Sequence, residues 1–217
     1  ADLEVEFPGA LKQERSSEEG VLRITALLGP GKPFRVRWKP RVAELEGKLV
    51  LSSDANTIIS VEPGAVRLDN LYRFEIAQGK LRELSFAVPA EISITQVRCP
   101  FVRDWRLEDG EQGGILRVIL NRPVTGTHSV RVAGEAVLGK FPVELSVPLI
   151  RPLETIRSGG HVSVGTNSAI QLLVESTTGL SQIDGAAFPR ILPDDSSPRP
   201  LPAGKAFFYT YAATPYQ

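Results

Sequence analysis

The chain has 217 residues, with 25 basic and 25 acidic side chains and therefore no formal net charge. A hydrophobic fraction of 42% and a charged fraction of 23% are typical of a globular protein and exclude a disordered or collagen-like chain. A neutral chain has no global field that draws it to nucleic acid, so we do not expect a nucleic-acid-binding protein. No apolar run reaches the ~18 residues of a membrane helix, and we expect no membrane insertion of this segment.

Two segments near the N-terminus alternate apolar and charged residues with period two, which is typical of half-buried strands. The first carries Glu4 and Glu6 outward, and the second carries a basic row of Arg35, Arg37 and Lys39. The basic row could bind phosphate or an acidic glycan. The competing interpretation, which we favour, is that the acidic and basic rows lie on neighbouring strands and stabilise their pairing.

The rest of the chain consists of short alternating or β-branched runs separated by turns. The runs are residues 21–28, 48–52, 57–61, 72–76, 84–88, 92–97, 115–120, 128–132, 143–147, 161–164, 170–174 and 206–211. Glycine-containing turns such as Gln78-Gly79 and Thr125-Gly126 separate them. The 17 prolines leave little room for helix, and the best helical candidate is the short segment 41–48. We therefore predict an all-β, mainly antiparallel β-sandwich with negligible helix.

Domain boundaries rest on proline-bearing stretches. Residues 148–152 either link a first sandwich, 1–147, to a smaller piece, 148–217, or form an edge strand. Residues 190–203 combine prolines with aspartates and serines and predict an exposed loop. We favour one large sandwich over residues 1–217, with this loop before its last strand. Because the sequence begins Ala-Asp-Leu without Met, we expect it to be a segment of a longer polypeptide.

The candidate ligand or partner surface near the middle of the chain is formed by Arg103, Asp104, Trp105 and Arg106. An exposed indole can stack on the face of a sugar while neighbouring polar groups bind its hydroxyls. The alternation favours a different interpretation, in which Trp105 and Leu107 face inward and the charged residues between them face solvent.

Catalytic and metal chemistry find little support in the sequence. His128 and His161 are isolated and Cys99 is single, so close zinc-ligand pairs are missing. The spacing of the acidic residues between 104 and 111 does not match the twelve-residue calcium-binding loop, and we interpret them as a solvated turn. Hydrolysis by two paired carboxylates stays open as an enzymatic alternative, since a sequence gives no distance between them. We expect no cofactor, and we expect Cys99 to be a buried hydrophobe rather than a reactive thiol.

Residues 79–89, 97–105 and 115–123 together resemble a module of large, uncharacterised multidomain envelope proteins of bacteria. The shared features are a strand that ends in Pro89, a strand that bears Trp105, and a turn with the sequence Asn-Arg-Pro-Val-Thr-Gly that leads into another strand. The resemblance covers about half of the chain. It implies an extracytoplasmic β-sandwich, periplasmic or in the cell envelope, with no assigned catalytic residues.

We therefore predict a non-catalytic structural or interaction module of a larger exported bacterial protein. Its expected partners are neighbouring domains of the same polypeptide or another protein, and the aromatic strand 206–211 either closes the sandwich or packs on such a domain. The alternative function is a carbohydrate-binding or glycan-acting domain that uses Trp105 or Trp38 with nearby Arg and Asp side chains.

Overall fold

The computed structural model describes residues 3–6, 10–18, 21–29, 31, 36–40, 49–110, 113–167, 170–189 and 199–214. These residues are mainly β-strands, and the helical part among them is one 3-10 turn, Gly185–Ala187. The predicted all-β class is therefore confirmed, whereas the helical candidate 41–48 lies outside the described residues. No helix in the described ranges is long and apolar enough to span a membrane. Contacts between Cα atoms divide the chain into residues 1–47 and 48–217, and the prediction of one large sandwich stays a prediction.

The described residues within 1–47 form two strand pairs. The strands are β1 (Leu3–Glu6), β2 (Ala10–Glu18), β3 (Val21–Leu28) and β4 (Arg37–Pro40), and β2 pairs with β3. β1 and β4 are antiparallel, with Glu4 opposite Lys39 and Glu6 opposite Arg37. The predicted pairing of the acidic and basic strands is thus confirmed at these positions. Arg35 lies outside the described residues.

Residues 48–217 form one mixed sheet. Its strands are β5 (Val50–Glu62), β6 (Ala65–Val88), β7 (Ser93–Arg98), β8 (Val102–Gly110), β9 (Gly113–Val137), β10 (Arg151–Pro152), β11 (Arg157–Thr166), β12 (Ser181–Gln182) and β13 (Ala206–Tyr211). The order is β12-β13-β11-β5-β6-β9-β7, with β10 added to β6 and β8 added to β9. β5 and β11 are parallel, and the other pairs are antiparallel. The described residues of this unit therefore form one mixed sheet that is not closed, and the predicted sandwich is not confirmed.

Two long strands, β6 and β9, form the centre of this sheet and pair from Ala65 opposite Val137 to Val88 opposite Gly114. Their register shifts between Ile76 and Leu81, beside Gly79 and Gly126, which have φ angles of 83° and 79°. Glycine adopts such left-handed angles without the steric penalty that other residues pay. The turns predicted at these two glycines are therefore wrong, because both glycines lie at bulges inside continuous strands.

The bulge bends β6, so that side chains from the two halves of this strand pack against each other. Phe74 and Phe86 lie on opposite sides of it and would be about 40 Å apart along an extended strand. Their ring centroids are 5.9 Å apart, so β6 bends sharply between them. Tyr72 packs 5.0 Å from Phe86 and donates its hydroxyl to the Ile150 carbonyl at 2.6 Å. Because each of these rings is at most 1% exposed, burial of each side chain contributes about 1.5–3 kcal/mol.

Two runs that the sequence predicts as strands, 143–147 and 170–174, do not pair with any described strand. Leu145 and Leu173 are 41% and 75% exposed, whereas Val147, Ile170 and Leu172 are partly buried against the core. The alternation of these runs suits a strand, but a strand also needs a neighbour to which its N–H and C=O groups can bond.

The proline-rich segment is anchored at both of its described ends by Asn56 of β5. The Asn56 side-chain amide donates to the Pro189 carbonyl at 2.6 Å, and the Asn56 backbone carbonyl accepts from the Arg199 guanidinium at 2.8 Å. The predicted exposed loop is wrong at Arg199 and Pro202, which are buried, with Arg199 only 4% exposed. Residues 190–198 lie outside the described part of the chain.

Candidate functional site

The candidate surface predicted around Trp105 lies on β8, at an edge of the sheet. β8 pairs with β9 along one side, and no described strand pairs with its other side. Arg103, Asp104, Trp105 and Arg106 are exposed neighbours on this strand, which the register shift between Val102 and Asp104 bends near its start. Arg37 and Lys39 belong to the other unit, on β4.

One face of β8 carries apolar side chains that remain in contact with solvent. Trp105 lies opposite Val118 and Leu107 opposite Leu116, and both of these β9 residues are 0% exposed. Residues opposite each other in an antiparallel pair share a face, so Trp105 and Leu107 lie on the core side of the sheet. They are nevertheless 37% and 48% exposed. The predicted inward orientation therefore gives the correct face but not burial, because no further described strand covers the edge.

The other face of β8 carries charged side chains centred on Arg117 of β9. The Arg117 Nε donates to Glu108 at 2.6 Å, and one of its terminal nitrogens donates to Glu83 of β6 at 2.6 Å. Arg106 reaches the second oxygen of Glu108 at 2.8 Å. We call Glu83, Arg106, Glu108 and Arg117 the β8 arginine row, which ties the edge strand to β6 across β9.

The β8 arginine row determines the charge state of Glu108. The hydrogen bond from Arg117 is the main cause that lowers the Glu108 pKa, with the positive charge of Arg106 also contributing. The two carboxylates raise the pKa of Arg117 in return. An ionised carboxylate already held by two guanidiniums is a poor general acid and a poor metal ligand, so hydrolysis by Glu108 finds no support here.

At the free edge of β8, the backbone N–H of Trp105 is already hydrogen-bonded within its own strand. The Trp105 backbone N–H donates to the Asp104 carboxylate at 2.8 Å. Unpaired edge groups can recruit another strand, and charged side chains beside them limit such pairing. Asp104 therefore protects the edge at this point, whereas Asp109, exposed on the Trp105 face, has no ion-pair partner among the described residues.

The predicted surface left out Leu107, which the alternation placed inward beside Trp105, and Asp109. Asp109 lies opposite Gly114, which puts it on the same face as Trp105 and Leu107. The period of two that relates Trp105 and Leu107 extends to residue 109, so the sequence could have placed Asp109 on the same face. Their exposure could not be read in this way, because it depends on which strand lies at the edge.

Comparisons with known proteins assign no family to the chain. No protein-family model matches it, and no curated protein matches it. An M1 zinc metallopeptidase from Deinococcus radiodurans is 11% identical, with 76% of this chain and 38% of that chain covered and a TM-score of 0.35. Leukotriene A4 hydrolase from Saccharomyces cerevisiae is 12% identical, with 76% and 26% covered and a TM-score of 0.38. The chain thus spans well under half the length of these structures, and similarity at this level does not establish kinship.

Proposed function

We propose that the chain is a non-catalytic interaction module of a larger exported bacterial protein, and that the free edge of β8 binds an extended strand of another domain or protein. The observation that carries this proposal is the exposure of Trp105 and Leu107 on the core side of an edge strand. An added strand would bond to the free backbone groups of β8 and cover both side chains. Strand addition of this kind is a common mode of peptide recognition.

The charge on the Trp105 face indicates what the incoming strand should carry. Asp109 follows Leu107 at the next position on this face and has no described ion-pair partner. An antiparallel strand that places apolar residues opposite Trp105 and Leu107 would place a third residue opposite Asp109. A basic residue there would be favourable, and an acidic residue would be repelled.

Two synthetic peptides test the proposal. One is Thr-Lys-Thr-Val-Thr-Val-Thr, which offers a lysine to Asp109 and valines to Leu107 and Trp105, and the other has glutamate in place of the lysine. We expect the lysine peptide to bind several-fold more tightly in calorimetry and to slow hydrogen exchange of the β8 amides. The variant Leu107→Lys should lose this binding, whereas Leu173→Lys, a matched change on an exposed leucine outside the sheet, should keep it.

Each other outcome contradicts a stated part of the proposal. Failure of both peptides to protect β8 would contradict edge binding. Equal affinity of the two peptides would contradict the role of Asp109. If Leu173→Lys lowered binding as much as Leu107→Lys, the contact would not be at β8.

A second candidate function, carbohydrate binding, is favoured by the exposure of Trp105 beside Asp104 and Arg106. Sugar faces stack on indole rings, and charged neighbours bind hydroxyls or acidic groups. The chain has two tryptophans, so Trp38→Phe leaves Trp105 as the reporter of fluorescence. Titration with neutral and acidic oligosaccharides should then change its emission, and unchanged emission in both series would refute this alternative.

Export to the periplasm or cell envelope is proposed from the resemblance of residues 79–89, 97–105 and 115–123 to modules of bacterial envelope proteins. Fractionation of cells that make the parent protein tests it, with antibodies against this chain and a cytoplasmic enzyme as marker. Recovery with the cytoplasmic marker would contradict export. The sandwich description also stays a proposal, supported by the packing of Phe74 on Phe86 from two parts of one bent strand.

A further inference from the structure

A second feature of residues 48–217 is a cleft where β7 turns into β8 beside the middle of β9. Its volume is about 560 Å³, and its polar lining consists of Arg98, Cys99, Thr127, His128, Ser129 and Arg131. We call it the Cys99 cleft. Small-molecule sites typically have volumes of roughly 300–1,000 Å³ and a mixture of apolar walls with a few polar groups. The cleft includes none of Trp105, Leu107 and Asp109, so it is separate from the free edge of β8.

Positive charge is concentrated in the Cys99 cleft. Arg98 of β7 lies directly opposite Arg131 of β9, and like charges at opposite positions destabilise a strand pair. Arg131 is balanced by Asp69, which accepts from its Nε at 2.8 Å. Arg98 is exposed and forms no ion pair with any residue that the structure describes, and no carboxylate belongs to the cleft lining. An anion beside Arg98 would supply the missing counter-charge.

The walls of the cleft are apolar and held in place. Leu71 and Val97 line it and are 6% and 9% exposed, so both are fixed by the packing beneath them. The His128 ring contacts the Thr125 carbonyl through Nε2 at 2.9 Å and packs against the Phe101 ring in a T-shaped arrangement, with centroids 5.4 Å apart. A site whose side chains are already ordered loses less conformational entropy when a ligand binds.

We propose that the Cys99 cleft binds a small organic carboxylate, with the carboxylate on the Arg98 guanidinium and the hydrocarbon part against Leu71, which lies on the same face of the sheet as Arg98. The planar guanidinium fork matches a carboxylate with two parallel hydrogen bonds. The apolar walls favour an anion that carries a hydrocarbon chain over an inorganic one. Arg98 then has a role that offsets its unfavourable position opposite Arg131.

The thiol of Cys99 can report whether a ligand occupies the cleft, because a bound ligand would slow its alkylation. We do not propose that Cys99 reacts with the ligand. It is the one cysteine of the chain, and it is half-buried in the cleft. Burial raises the pKa of its thiol, so alkylation by iodoacetamide is best followed at mildly alkaline pH. The rate measures access to the cleft without interference from another thiol.

The experiment compares alkylation of the whole chain in the presence of octanoate, octanamide or inorganic phosphate. We expect octanoate to slow alkylation in a saturable manner, and octanamide and phosphate to require about ten-fold higher concentration or more. In Arg98→Gln, half-protection by octanoate should need about ten-fold more ligand. Arg103→Gln, a matched change on an exposed arginine of β8, should behave as the unaltered chain does.

Every other result overturns the proposal. Equal protection by octanamide would show an apolar groove without anion recognition, and equal protection by phosphate would show an anion site that does not use its walls. Unchanged protection by octanoate in Arg98→Gln would show that Arg98 does not bind the carboxylate. Absence of protection by octanoate in the unaltered chain would show that the cleft does not bind it. Protection is the ratio of rates with and without ligand in one variant, so altered thiol reactivity cancels. A urea unfolding midpoint for Arg98→Gln at or above that of the unaltered chain excludes misfolding as the cause.

Discussion

Two networks of arginine and carboxylate side chains lie in residues 48–217, one centred on the buried Arg199 and one at the edge of the sheet. The buried arginine network consists of Asn56, Asp69, Arg131 and Arg199. In it, the Arg199 side chain is 3% exposed and donates to the backbone carbonyls of Asn56 and Asp69 at 2.8 and 3.0 Å. In the β8 arginine row, Arg117 and Glu108 are 34% and 37% exposed, close to the 32% and 25% of Arg131 and Asp69 in the first network. The β8 arginine row therefore differs in that it has no buried member that corresponds to Arg199.

The difference between the networks lies in the solvent exposure of one arginine, because Arg199 is buried whereas Arg117 is partly exposed. Water competes for exposed guanidiniums and screens their charge, so ion pairs at a surface contribute little to stability. A buried guanidinium has no such alternative, and its loss leaves carbonyl groups without partners. The buried arginine network therefore holds the fold, and the β8 edge remains available for binding.

The largest effect is expected from Arg199→Ala, which removes the centre of the buried arginine network. We expect a loss of about 3 kcal/mol in the free energy of unfolding, because the carbonyls of Asn56 and Asp69 lose charged donors. Urea denaturation measures it. Arg199→Lys should lose less, since it keeps the charge but not the fork. Arg103→Ala, on the exposed edge, should change stability by about 0.5 kcal/mol or less, and an equal loss in both variants would contradict the contrast between the regions.

The next largest effect concerns binding rather than stability, at the edge. Leu107→Lys should abolish binding of the lysine peptide while its free energy of unfolding stays within about 1 kcal/mol of the original, because Leu107 is already 48% exposed. Asp104→Ala should act in the opposite sense and strengthen peptide binding a few-fold, since the Trp105 N–H is then free for the added strand. Calorimetry and denaturation on the same samples separate the two quantities. A large loss of stability in Leu107→Lys would show that this edge supports the fold.

How far the sequence predicts this structure depends on the range of the interaction. Period-two alternation locates most strands, and the charge rows at Glu4 and Lys39 predict the partner strand, because these signals are local or complementary. The burial of Arg199 could not be predicted, since its partner Asn56 lies 143 residues away. The continuity of β6 was hidden for another reason, because a glycine at a bulge and a glycine at a turn look alike in sequence.

The candidate site shows the same limit. The alternation correctly puts Trp105 and Leu107 on the core side of their strand, and it gave the wrong expectation that they are covered. The burial of these two side chains depends on whether another strand lies next to β8 in the sheet, and this is a property of the whole topology.

A smaller effect is expected from His161 of β11, on which burial and charge act in opposite directions. Burial lowers the His161 pKa below its ordinary value of 6.5, and the negative charge of Asp54 opposes this shift in part. The unfolded chain therefore binds more protons just below pH 6.5, so the stability contributed by neutral His161 is present above that pH and lost as the pH falls through the lowered pKa. Denaturation over this range should show a steeper decline for the unaltered chain than for His161→Gln. Identical pH profiles would mean that His161 is solvated like an edge residue.

The smallest effect is expected from two buried serines, one with and one without a hydrogen-bond partner among the described residues. The Ser163 hydroxyl is 0% exposed and has no hydrogen-bond partner among the described residues. Ser53, by contrast, donates its hydroxyl to Ser158 at 3.2 Å. Because an unpaired buried hydroxyl is desolvated without compensation, Ser163→Ala should leave stability unchanged or raise it by up to about 1 kcal/mol, whereas Ser53→Ala should lower it by about 1 kcal/mol. Parallel denaturation curves compare them, and a loss in Ser163→Ala as large as that in Ser53→Ala would mean that Ser163 has a partner. If Ser163→Ala keeps or raises stability and Ser53→Ala lowers it, the contribution of a buried polar group to the free energy of unfolding depends on its hydrogen bonds rather than on burial alone. The contrast between the two arginine networks has the same implication.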